Sequence, residues 1–112
     1  MSTRATILIR EKNEPDVHIY HHCDGYPEGV GTDLKHYLNS LKHYEWIAND
    51  IATALIKGSA IKDDNGYELT SCQHGDEEYA YLIDCDNKTL TCYEIGWDQF
   101  EWNEKDIVDI PD

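Results

Sequence analysis

The sequence predicts an α+β domain: a mostly antiparallel sheet of about five strands, made of two hairpins plus a short strand, packed on one or two helices. Three observations carry this expectation. Two alternating apolar segments flank the breaker Asn13-Glu14-Pro15-Asp16, a long run with helical spacing fills the middle, and two apolar runs flank Asp86-Asn87-Lys88. At 112 residues and 13.0 kDa, with 40% hydrophobic residues, the chain has the size of a single domain, residues 1–112, with one core.

The first hairpin pairs TRATILIRE (residues 3–11) with VHIYHHC (17–23). If Glu11 pairs with Val17, one face carries Ala5, Ile7, Ile9, Val17, Ile19, His21 and Cys23. The other then carries Arg4, Thr6, Arg10, His18, Tyr20, His22 and Asp24, with Arg4 opposite Asp24 and Thr6 opposite His22. Residues 32–57 follow with Leu34, Tyr37, Leu38 and Leu41 at helical spacing, then Ile47, Ile51, Ala54 and Leu55. Thr32 or Asp33 suits the start and Gly58 the stop. No Pro or Gly interrupts this run, so one helix or two remains open, although the apolar stripe changes face near Tyr44. Asp63-Asp64-Asn65-Gly66 signals a turn, YELTSC (67–72) a short strand, and YAYLIDC (79–85) with TLTCYEI (89–95) a hairpin central to the sheet, since both its faces are apolar.

Net charge is −14, and it is unevenly placed: residues 1–57 hold eight acids against six Lys or Arg, residues 58–112 fifteen against three. Such a field disfavours direct contact with nucleic acid or an anionic membrane and favours a basic protein surface. The apolar runs are too short for a membrane span or a signal-peptide core, and Cys23, Cys72, Cys85 and Cys92 follow no disulfide framework, so a cytoplasmic protein with reduced thiols is expected. An exposed edge strand would also permit a homodimer.

Residues 20–31, YHHCDGYPEGVG, concentrate reactive side chains. Asp24-Gly25, Tyr26-Pro27 and the glycines account for most of the spacing as a turn into the helix, and neither a phosphate-loop nor a dinucleotide pattern is met. A catalytic reading takes His22 as general acid or base, Asp24 to orient it, and Arg4 or Tyr26 to hold developing negative charge. The structural alternative is an ion pair that pins the N-terminal strand. A metal reading takes His21 and Cys23 with Cys72 and His74, without any Cys-x-x-Cys spacing behind it. Removal of Met1 would expose Ser2 as an N-terminal nucleophile, but the chain is short for hydrolases of that kind. No cofactor is indicated. The acidic aromatic C-terminal segment, residues 97–112, is the candidate for partner binding: Trp97, Asp98, Phe100, Glu101, Trp102 and Glu104, joined by Asp76, Glu77 and Glu78. The alternative there is that the rings close the core while the acids face water.

Thr3 and Arg4 in an M-x-T-R start, with Tyr20, Asp24, Tyr26, Pro27, Gly29 and Gly31 in a Y-x-x-x-D-x-Y-P-x-G-x-G pattern, resemble a group of small uncharacterised proteins of phages, bacteria and fungi. The resemblance covers the first third of the chain and implies no reaction. A phage-type setting implies an anti-defence inhibitor acting in the host cytoplasm, small and acidic, that blocks a nucleic-acid-binding host protein. The expected function is therefore an acidic protein-binding module, with a small enzyme at His22, Asp24 and Arg4 as the alternative and a structural metal site as a third.

Overall fold

The computed structural model describes residues 2–61 and 66–112. Strands β1 (Ala5–Arg10) and β2 (Val17–His21) form the first hairpin. A π-helical turn at Pro27–Gly31 leads into helix α1 (Thr32–Asn39), followed by α2 (Ala48–Lys57). Then come β3 (Tyr67–Thr70), β4 (Tyr79–Asp84), β5 (Thr89–Glu94) and β6 (Ile107–Val108). The fold is α+β, with one six-stranded mixed sheet in the order β3-β2-β1-β4-β5-β6. Only β1 and β4 run parallel. The expected sheet had about five strands; β6 is the addition, and its two residues are too few to leave a periodic signal.

One face of the sheet is covered by the helices. There Ile7, Ile19, Tyr81 and Cys92 align across four strands and pack beneath Leu34, Leu38, Ile51 and Leu55. The helical run does break in two. α1 ends at Asn39; the backbone is extended at Lys42, and Glu45 turns its carboxylate back to accept the Lys42 N–H at 2.7 Å, capping a short turn at His43–Glu45 that separates the two helices. α2 has no side-chain cap of its own at Ile47; instead Glu11, just past β1, accepts the Ala48 N–H at 2.8 Å, a carboxylate on the positive end of the helix. Gly58, at φ 76°, takes the left-handed conformation that ends α2. The turn expected at residues 63–66 lies, except for Gly66, outside the described residues.

The first hairpin has a different register from the expected one. Ile9, not Glu11, pairs with Val17, so Thr6 faces Tyr20 rather than His22. The shift is two residues, which preserves both faces and changes every partner. Its cause is visible at the loop: Glu11 leaves the ladder to cap α2, and Arg10 pairs with Asp16 at 3.3 Å. Ladder pairing also ends at His21, so alternation stops there; His21 is buried and Cys23 is exposed, where a core position was expected.

Burial divides the thiols two and two. Cys85 and Cys92 are 3% and 1% exposed, and burial pushes each thiol up to about 11, with the acids around Cys85 adding to its shift. Cys23 and Cys72 are exposed. A maleimide at neutral pH is expected to label Cys23 and Cys72 in the native protein and to reach Cys85 and Cys92 only after denaturation. Mass spectrometry counts the adducts, and labelling of Cys92 at the rate of Cys72 would contradict this burial.

Candidate functional site

The chain crosses from the β3 edge to β4 through residues 71–78, passing the ends of β2 and β1, and this crossover decides who meets whom. Asp76 arrives beside Arg4, at 3.4 Å, and accepts the Tyr20 hydroxyl at 3.0 Å. Tyr20 in turn stacks on His74, with ring centroids 3.9 Å apart, and meets His22 edge-on. His22 pairs with Glu68 of β3 at 2.7 Å, both half-exposed. Asp24, at φ 53°, accepts the Tyr26 hydroxyl at 3.2 Å. Arg4, His22 and Asp24 thus each have a separate partner, and the catalytic grouping that required Arg4 opposite Asp24 is not assembled. The expected register brought them together; in the fold the crossover brings Asp76 to Arg4 and the neighbouring strand β3 brings Glu68 to His22.

The Asp24 carboxylate holds the Tyr26 phenol above its usual pKa, and that hydroxyl is committed to it. The metal candidates fall into two places, His21 with Cys23 and Cys72 with His74. Among the described residues no group of three or more His, Cys, Asp or Glu could hold an ion.

Tyr20 is 3% exposed, and burial, reinforced by the Asp76 hydrogen bond and charge, pushes its phenol up to about 12. The folded state holds this proton more tightly than the unfolded chain, whose tyrosines titrate near the ordinary value of 10.0. The stability linked to Tyr20 is therefore complete below that value and is lost as pH rises towards about 12. The tyrosinate absorbance titration of wild type minus that of Tyr20→Phe is expected to show a midpoint near 12, moving down in Asp76→Asn; an ordinary tyrosine midpoint in the wild type would contradict it.

The acids of the crossover prove largely structural. Asp76 is taken by Arg4 and Tyr20. Glu77 is 2% exposed, its two oxygens accepting the backbone N–H groups of His74 at 2.9 Å and Gly75 at 2.7 Å. Of the three, Glu78 alone has an exposed side chain with no such bond among those described.

The C-terminal rings behave differently. Trp97 is 76% and Phe100 58% exposed, so they do not close the core, while Trp102 is partly buried. The lobe that carries them is held by polar contacts centred on Gln99. Its side chain accepts the Gly96 N–H at 2.8 Å and donates to the Glu101 carbonyl at 2.8 Å and to Asp106 at 2.9 Å. Gln73 joins lobe to crossover, donating to the Gln99 carbonyl at 2.6 Å and accepting the Trp102 indole N–H at 3.1 Å. Asp98, at φ 63°, takes the left-handed conformation in the turn it shares with Trp97. Asp98, Glu101 and Glu104 are all exposed beside these rings. The sequence draws attention to the aromatic and acidic residues; Gln73 and Gln99, which organise them, follow no pattern that marks them in advance.

No family model, curated protein or solved structure matches this chain. No helix among the described residues is long and apolar enough to cross a membrane.

Proposed function

We propose that this chain is an acidic protein-binding module whose lobe, residues 96–106, docks on a basic protein surface of the kind that takes nucleic acid. The observation that carries this reading is the exposure of Trp97 and Phe100, 76% and 58%, on a loop tied down by Gln99 that also exposes Asp98, Glu101 and Glu104. Exposed large rings are the usual anchors of an interface, and carboxylates around them imitate the phosphates a basic surface expects. The polar scaffold lowers the cost of binding, because the loop is ordered beforehand.

The test compares charge placed here with the same charge placed elsewhere. A basic peptide of lysine and arginine, titrated at low salt, is expected to bind roughly tenfold more weakly to Asp98→Asn/Glu101→Gln/Glu104→Gln than to wild type. The control Glu14→Gln/Glu28→Gln/Asp50→Asn removes as many exposed charges far along the chain and is expected to bind nearly as wild type. Trp97→Ala is expected to cost about tenfold by itself. If the two triple variants weaken binding equally, net charge explains it and the lobe is not the docking surface.

A further inference from the structure

We propose that the helix-free face of the sheet carries a binding site for a small aromatic carboxylate, which shares Phe100 and Trp102 with the docking lobe but none of its acids. Pairing of β1 with β4 puts Leu8 beside Leu82 on that face, and β5 adds Tyr93. These residues and Thr6 floor a cleft of about 430 Å³, roofed by Trp102 and Phe100, a size that suits a small ligand.

Two features define the ligand. The first is the roof. Trp102 packs on Tyr93 with ring centroids 5.5 Å apart, and Gln73, which also lines the cleft, accepts its indole N–H and donates to the Gln99 carbonyl, so the roof offers ring faces whose polar atoms are already bonded. The second is charge. The chain carries −14, yet among the described residues no carboxylate lines this cleft, and its polar end is formed by Arg10 and His18. Asp84, opposite Arg10 in the ladder, turns its oxygens to the backbone N–H groups of Asp86 and Asn87 and to the Asn87 side-chain amide. Arg10 meets Asp16 at 3.3 and 3.4 Å, half-exposed, a weak surface pair that leaves guanidinium donors for a second carboxylate. A flat ring between Leu8, Leu82 and the Trp102 roof thus carries its carboxylate to Arg10.

Naphthoate is the probe, with naphthamide and naphthylmethylammonium as its neutral and cationic counterparts, followed by the Trp102 indole N–H resonance, assigned by loss in Trp102→Phe. Naphthoate is expected to shift that resonance saturably, the amide to bind about tenfold more weakly, and the cation more weakly still. Arg10→Gln, at an exposed position, is expected to bring naphthoate down to the level of the amide. Equal binding of anion and cation, unchanged binding by Arg10→Gln, or a shift that never saturates would each overturn the site. Asp98→Asn/Glu101→Gln/Glu104→Gln is expected to bind naphthoate no more weakly than wild type, so this site and the docking lobe fail separately.

Discussion

Replacing Tyr81 with alanine is expected to destabilise the fold by about 4 kcal/mol, the largest effect of any substitution considered for this chain. Tyr81 is 0% exposed at the middle of β4, and its hydroxyl donates to the Gly25 carbonyl at 2.7 Å in the interior. It thereby joins the central strand to the turn that follows β2. The ring also lies where the next turn closes: a Cβ on Gly31 would sit 3.2 Å from it. Alanine removes the packed ring and the donor together. Tyr81→Phe separates the two, keeping the ring and leaving the Gly25 carbonyl buried without that donor, for about 1–2 kcal/mol. Urea unfolding measures both, as a lowered midpoint with unchanged slope. A Tyr81→Phe protein as stable as wild type would mean that the Gly25 carbonyl finds another donor. Because folded domains of this size hold only about 5–15 kcal/mol, the alanine variant stands close to unfolding, and the phenylalanine variant keeps the test decisive.

Glu77→Ala is expected to cost about 3 kcal/mol, although the sequence alone places Glu77 among exposed partner-binding acids. Both its oxygens accept backbone N–H groups in a buried site, and alanine would strand two donors. Glutamine does not repair this, since its NH₂ would face one of those N–H groups; Glu77→Gln is expected to lose more than half as much. Gly75, at φ 99°, holds the backbone in the conformation that aims both donors at one carboxylate. Glu78→Gln, one residue on and exposed, is expected to stay within about 0.5 kcal/mol of wild type. Thermal melts of the three variants check the contrast, and a Glu77→Ala protein that melts like Glu78→Gln would show that the carboxylate does not hold the crossover. The consequence reaches the candidate sites, because the same crossover carries Asp76 to Tyr20 and Gln73 to Trp102.

What could be read of the candidate sites depended on which neighbours were local. Trp97, Phe100, Asp98, Glu101 and Glu104 lie within eight residues, all exposed, and Asp98, Phe100 and Glu101 share one hollow of the surface. Arg4, His22 and Asp24 were joined only through an assumed register, and the fold assigns each a different partner. Gln73 and Gln99, 26 residues apart, meet because one lies near the start of a crossover and the other centres a lobe, which no local pattern announces.

Local patterns are enough for the class of fold, the two hairpins, the helical run and its stop at Gly58, and the side of β1 and β2 that meets the core. These follow from periods of 2 and 3.6 residues and from turn chemistry, all properties of neighbouring residues. Tertiary structure decided the register of β1 on β2, since a two-residue slip leaves both faces intact and parity cannot detect it. It also decided the break between α1 and α2, the parallel pairing of β1 with β4, and the use of Glu11, Asp76 and Glu77 as internal acceptors. A carboxylate looks the same in sequence whether it faces water or closes a buried N–H, and only the path of the distant chain selects between them.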